Sequence, residues 1–111
     1  MTVLRVLLDD TDETTDGRVT YNGEVLTGVT VENFPDGTLL AETYYTSGVQ
    51  DGPERQFTHD GRLTAENIYD FGSTVQEREW HSNGRLAREK HLRNGRVVSE
   101  QRWDENGDPT G

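Results

Sequence analysis

The chain has 111 residues, with 21 acidic against 11 basic side chains, a formal net charge of -10, 30% hydrophobic residues and no cysteine. This is one small domain at most, and its strongly negative mean hydropathy argues against a thick two-sided core and a membrane span. Without cysteine there is no disulfide framework or thiolate zinc site, and the 12 glycines against 3 prolines are too many for a helical bundle, because an interior glycine costs a helix about 1 kcal/mol.

The amino terminus predicts a short buried or half-buried strand over residues 3 to 8, Val-Leu-Arg-Val-Leu-Leu. It lacks the basic start, long apolar run and small-residue cleavage site of a secretory signal, and the carboxyl end carries no lipidation or targeting motif, so the expected location is the cytoplasm. The next stretch is the most acidic: Asp9, Asp10, Thr11, Asp12, Glu13, Thr14, Thr15, Asp16, Gly17. A calcium loop of the EF-hand type needs glycine at its sixth position and glutamate at its twelfth. Counting from Asp10 those places hold Thr15 and Tyr21, and from Asp12 they hold Gly17 and Gly23. Neither register closes with a carboxylate. The segment therefore reads as a solvated connection, with no metal or other cofactor expected.

Beyond it the chain repeats. Gly37, Gly61, Gly84 and Gly107 stand 24, 23 and 23 residues apart, and Phe57, Trp80 and Trp103 each precede one of them by four. After the first three of these glycines come a leucine at plus two (Leu39, Leu63, Leu86) and a glutamate at plus five (Glu42, Glu66, Glu89). Tyr45, Tyr69 or Leu92 follows at plus eight, and a second glycine at plus eleven (Gly48, Gly72, Gly95). Asp-Gly and Asn-Gly pairs complete eight of the twelve glycines, and such pairs tolerate the positive φ of tight turns between antiparallel strands. The intervening stretches are rich in Thr, Tyr, Val, Phe and Trp, which suit strands. One unit reads as strand, turn, strand, turn. The expected fold is all-β: an antiparallel meander of stacked hairpins in a single elongated sheet. Residues 1–111 form one repeat domain, with residues 1–17 as first strand and acidic loop and 18–111 as the hairpin repeats.

Alternation along each first strand puts the leucine and the plus-eight residue on one face and the glutamate on the other. With Phe57, Trp80 and Trp103 the first group predicts one apolar stripe, covered at one end by Val3, Leu4, Val6 and Leu7; the second face is polar and wet. The glutamates would then align about 10 Å apart, either as an anionic binding stripe or as structural rungs paired with Arg55 and Arg78 on the adjoining strands. Because the position recurs with the repeat, the structural role is favoured. Tyr44, Ile68 and His91, which differ between units on that face, are better candidates for specificity.

The pattern of aromatic, Asp/Asn-Gly, x, Leu, x, x, Glu, x, x, Tyr, x, x, Gly resembles the MORN-repeat variant of bacterial proteins labelled YwqK-family antitoxins. It runs here from Phe34 to Glu42, from Phe57 to Glu66 and from Trp80 to Glu89, with an entry at Tyr21 to Gly28. The resemblance covers about residues 18 to 108. The chain departs from it at Gln76 and Ser99, where the earlier unit has Gly52. It departs also at Pro109, in place of leucine, and at Phe34, which is three rather than four residues before its glycine. The resemblance implies stacked hairpins and protein binding, often as the immunity or antitoxin partner of a toxin, although a scaffold alone does not fix a function.

Charge gives an independent argument. Residues 1–60 carry twelve acidic and three basic side chains, and residues 61–111 carry nine and eight. An acidic half repels nucleic acid and anionic lipid and attracts a basic protein. The expected partner is a cognate toxin with a basic cleft, of the kind that acts on nucleic acid or nucleotides. Nucleic acid and membrane are not expected partners, and the free chain is expected to be a monomer. Candidate contacts, chosen for charge and exposure, are Asp9, Asp10, Asp12, Glu13, Asp16, Glu24, Glu32, Tyr44, Asp51 and Glu54. The aromatic column Phe57, Trp80 and Trp103 could serve as a base-stacking platform, but the late cluster of arginines that would accompany it is diluted to near neutrality. Catalytic equipment is sparse: His59, His81 and His91 fall in or near different turns, and Ser82 beside His81 has no evident pocket. No enzyme activity is expected. The alternative function is a general interaction or assembly scaffold working through open sheet edges.

Overall fold

A computed structural model describes residues 4–110. Among them there is no α-helix, and no helix long and apolar enough to cross a membrane. The chain runs through β1 (Leu4–Leu7), a single 3-10 turn (Leu8–Asp10), β2 (Asp12–Glu13), β3 (Val19–Tyr21), β4 (Glu24–Val25) and β5 (Gly28–Asn33). The repeats supply β6 (Leu39–Thr46), β7 (Val49–Phe57), β8 (Leu63–Asp70), β9 (Ser73–Trp80), β10 (Leu86–Arg93), β11 (Arg96–Trp103) and β12 (Pro109–Thr110).

Strands β5 to β12 form an antiparallel meander in sequence order, and β1 adds to β5 in parallel to complete nine strands. The predicted all-β meander of hairpins is the observed architecture. Its short turns at Ser47, Phe71 and Asn94 each place the residue before glycine at positive φ, 50°, 42° and 52°. Its longer turns close identically: the amide of Gly37, Gly61, Gly84 or Gly107 donates to the carbonyl three residues earlier, and the loop's first amide donates to the carbonyl four residues on.

Residues 12–25 depart from expectation. They form a second, three-stranded sheet, β2–β3–β4, where a solvated acidic connection was expected up to residue 17 and hairpins of one single sheet from residue 18. The reason is the same turn chemistry. Thr14 and Gly17 make the same two bonds as Thr58 and Gly61, because Thr14-Thr15-Asp16-Gly17-Arg18-Val19 repeats the pattern of Thr58-His59-Asp60-Gly61-Arg62-Leu63. The acidic stretch therefore contains a shortened hairpin unit.

That unit positions the core. Val6, Val19 and Leu26 are buried together, with Tyr21 and Tyr45 packed against them, so the small sheet lies on the large one at β1 and β6. Burying each such side chain contributes about 1.5–3 kcal/mol. Gly48 ties the two sheets: its amide donates to the Leu26 carbonyl at 2.7 Å and its carbonyl accepts from Val19 at 2.9 Å. A Cβ there would lie 2.9 Å from both the Arg18 Cβ and the Val19 carbonyl oxygen, so the close approach requires glycine.

The expected single apolar stripe is not what the registers give. Phe57 opposes Leu63 while Gln56 opposes Ala65, and Trp80 opposes Leu86 while Glu79 opposes Arg88. A bulge after each leucine thus resets the alternation, and cross-strand partners share a face, so Leu63 and Leu86 fall on the side of Arg55, Glu66 and Arg78. Nor do the amino-terminal residues form a cover: Val6 is buried, Leu4 and Leu7 are exposed, and Val3 lies outside the described residues. The repeats are instead laced along their long turns. Phe34 stacks on His59 at 3.9 Å, and His59 Nδ1 meets Asp36 Oδ2 at 2.9 Å. Arg62 donates to the Ser82 carbonyl, His81 Nε2 contacts the Trp103 carbonyl at 2.8 Å, and Asn83 donates to the Glu105 carbonyl at 2.7 Å. Each contact joins one unit to the next.

Candidate partner-binding surface

The two faces of the large sheet differ in how their charge is disposed. On one face the recurring glutamates and the arginines opposite them form a continuous ladder. Arg5 Nη1 meets Glu42 Oε2 at 3.2 Å, and Arg55 joins Glu42 Oε1 at 3.3 Å to Glu66 Oε2 at 2.7 Å. Arg78 then joins Glu66 Oε1 at 3.7 Å to Glu89 Oε2 at 2.7 Å, and His91 Nε2 takes Glu89 Oε1 at 3.0 Å. Glu42 and Glu66 each give one oxygen to either side, and Glu89 gives one to Arg78 and one to His91 on its own strand. The pairing follows from register, since Glu42 opposes Arg55, Arg55 opposes Glu66, and Arg78 opposes both Glu66 and Glu89. Opposite Glu89 on β11 stands Gln101, and there the arginines stop. The Glu66 side chain is only 11% exposed, so its charge depends on these neighbours. Bonds from His91 and then Arg78 hold Glu89 below the usual carboxylate range, and the bonds to Glu66 and Glu42 raise Arg55. The structural role expected for the glutamate column is the observed one.

The opposite face carries charge that is less compensated. Its rows read Thr30, Thr43, Glu54, Asn67, Glu77, Lys90, Glu100 and Glu32, Ala41, Gln56, Ala65, Glu79, Arg88, Arg102 across β5 to β11. Cations enter only at β10. Glu13, Glu32 and Glu54 make no ion pair among the described residues, and all three act on Tyr45, whose phenol is pushed above its ordinary value first by burial and then by these charges. Glu54 accepts from Gln50 Nε2 and Asn67 Nδ2, each at 3.2 Å, which fixes Gln50 beside Tyr45.

At the short-turn end of this face a groove of about 620 Å³ opens between the small sheet and the hairpin tips, with Glu13, Asp16, Arg18, Tyr45, Val49 and Gln50 among its lining. Gly48 and Gly72 complete its wall, and the Gly72 amide donates to the Gln50 carbonyl at 2.7 Å. Next to Gly72 stands Phe71, 64% exposed, with its amide on Asp51 Oδ1 at 3.1 Å. A phenylalanine at φ 42° is an uncommon choice where the equivalent tips have Ser47 and Asn94, and it costs about 1 kcal/mol relative to asparagine.

The ten residues expected at the interface are divided by the fold. Glu13 and Asp16 reach the groove, Asp16 being paired with Arg18 at 3.7 Å and held low chiefly by the Thr14 hydroxyl. Glu32 and Glu54 share the face beneath, and Asp51 sits at the Phe71 tip. Asp12 is exposed on β2. Asp9 and Asp10 lie in the 3-10 turn, with Asp9 beside a separate hollow formed with Leu7 and Val31, and Glu24 is exposed on β4 outside the groove. Tyr44 belongs to the ladder face, opposite to Tyr45, with its Cβ against Gly52. Val49, Gln50 and Phe71, and Tyr45, which the repeat assigns to the apolar stripe, are not among the expected contacts. The signal for Phe71 was present in the repeat alignment, as the one bulky residue before a plus-eleven glycine.

The three histidines do not converge: His59 serves Asp36, His81 the Trp103 carbonyl and His91 Glu89. Among the described residues no three His, Asp or Glu side chains are grouped to hold a metal ion.

No family model matches this chain, and no curated protein matches it. Among solved structures it is similar to a chain in the crystal structure of accessory secretory protein 1, 2 and 3 in Streptococcus pneumoniae, at 19% identity and a TM-score of 0.34. The match covers 89% of this chain and 18% of that one, so the present chain spans under a fifth of the length of its structural neighbour.

Proposed function

We propose that this protein is a cytoplasmic immunity or antitoxin protein, monomeric when free, that binds a cognate bacterial toxin and neutralises it by covering a basic active cleft. It performs no turnover of its own. The observation that supports this most is the unequal disposition of charge: the ladder cancels the carboxylates of one face, while on the other side, among the described residues, Glu13 in the groove and Glu32 and Glu54 on the sheet face stand without ion pairs. Such a surface speeds association with a cationic protein and competes with a polyanion for its cleft. Co-expression tests the reading: the chain is expected to restore growth to cells making a toxin encoded beside it, and association is expected to slow as salt rises. An on-rate unmoved by salt, or a toxin left active at saturating inhibitor, would refute it.

A scaffold role is favoured by a different feature. Strand β11 is exposed along its length except at Trp103, β12 pairs only with Arg102 and Trp103, and Val97 and Val98 lie open beside the uncovered edge. Concentration-dependent self-association in light scattering, lost on Val97→Lys, would support that role instead.

A further inference from the structure

The hairpin tip at Phe71 and the groove beside it answer different needs from the rest of the fold. Phe71 buries little and occupies a left-handed turn position that Ser and Asn fill elsewhere, so the fold gains nothing evident from it. Aromatic residues, phenylalanine included, are enriched at protein interfaces relative to the rest of the surface. The adjoining groove combines an aromatic wall, Tyr45, and an aliphatic one, Val49, with the carboxylates of Glu13 and Asp16; the cation in its lining, Arg18, is taken up by Asp16 at 3.7 Å, which leaves Glu13 as the carboxylate there without an ion pair among the described residues. An aromatic surface with a carboxylate in reach suits a guanidinium or ammonium group on a long apolar stem.

We propose that a protein partner covers Phe71 and inserts one cationic side chain, arginine or lysine, into the groove lined by Glu13, Tyr45, Val49 and Gln50. This rests on the reading of the chain as a binder of basic proteins and assigns the place of contact. The chain's own net charge of -10 disfavours a second copy as occupant, since the like-charged rims would meet. Phe71 outside the groove enlarges the surface beyond what a small cation alone would cover.

The test uses the full chain and two peptides, acetyl-Gly-Arg-Gly-amide and its neutral citrulline isostere, followed by amide chemical shifts. The arginine peptide is expected to bind in the millimolar range and to move Glu13, Tyr45, Gly48, Val49 and Gly72, with at least threefold weakening in Glu13→Gln; the citrulline peptide is expected to move none of them. Shifts scattered over the acidic residues, or equal shifts with citrulline, would overturn the groove assignment. Phe71→Asn is expected to raise the thermal midpoint by about 4 °C, because asparagine suits the turn. A lowered midpoint would make Phe71 part of the fold and overturn its role as anchor. Sedimentation showing self-association abolished by Phe71→Asn would put a second copy there and overturn the choice of partner. The two readings fail separately: a toxin bound equally by wild type, Glu13→Gln and Phe71→Asn refutes this surface while keeping the function. Groove-localised peptide binding with no toxin neutralised refutes the function while keeping the cation site.

Discussion

Replacing Arg55 by methionine tests whether the ladder is a structural spine or a row of ordinary surface pairs. Arg55 bridges Glu42 at 3.3 Å and Glu66 at 2.7 Å, and both carboxylate side chains are only 11% exposed, whereas Arg55 itself is 34% exposed. Exposed pairs contribute about 0.2–1 kcal/mol and hydrogen bonds to charged groups about 1.5–3 kcal/mol. The Glu66 contact belongs to the second class. The Glu42 contact is longer and backed by Arg5, so it belongs nearer the first. Methionine keeps much of the stem's packing, so the expected loss is about 2–3 kcal/mol, or about 10 °C in thermal midpoint for a domain of this size. Urea unfolding gives the free energy, and a double-mutant cycle with Glu66→Gln isolates the pair, with an expected coupling above about 1 kcal/mol. Native-state hydrogen exchange should place the loss in β6 to β8. A loss under about 0.5 kcal/mol, erased by moderate salt, would refute the reasoning and reduce the ladder to solvated charges.

Gly48→Ala should cost more than about 2 kcal/mol and release residues 12–25 first, because its Cβ would meet Arg18 and Val19 at 2.9 Å; equal amide protection of β3 in the variant would contradict this. Trp80→Ala should cost about 2–3 kcal/mol, at or below the range for a fully enclosed ring, since Trp80 is half-buried against Leu86, and circular dichroism melts would measure it. Stability should fall in acid. Asp16, Asp36 and Asp60 are lowered chiefly by the threonine hydroxyls of their turns, Glu89 by His91 and Arg78, and Glu100 by Arg88. The folded chain therefore binds fewer protons than the unfolded one, so the contribution is complete above the ordinary values of 3.8 and 4.5 and is lost as pH drops through the lower folded values. A denaturation midpoint flat from pH 6 to pH 3 would count against it.

The hairpins were legible because two short-range rules agree: glycine after Asp or Asn sets the turns, and a 23-residue period sets their succession. The partners of Glu42, Glu66 and Glu89 followed once Arg55 and Arg78 were placed on adjoining strands. The faces were misassigned for one physical reason. Alternation holds only where neither strand carries an extra residue, and the bulges after Leu63 and Leu86 are fixed by pairing with Phe57 and Trp80, contacts between strands that a count along one strand does not contain. The second sheet is hidden by composition, because the Thr14 to Val19 turn pattern lies inside an acidic run whose charge alone favours a solvated loop. The groove was not legible at all, since Glu13, Tyr45 and Gly72 meet only when that short sheet folds back over the hairpin tips.

The end of the ladder at Gln101 gives the molecule a direction of failure. Each interior hairpin is clasped by the ladder on both flanks, whereas the last is clasped on one, its outer flank meeting only the two residues of β12, and β11 is exposed at every position but Trp103. Heat or a pulling force should peel the array from its carboxyl end inward, hairpin by hairpin, leaving the Tyr45 groove among the last parts to come undone.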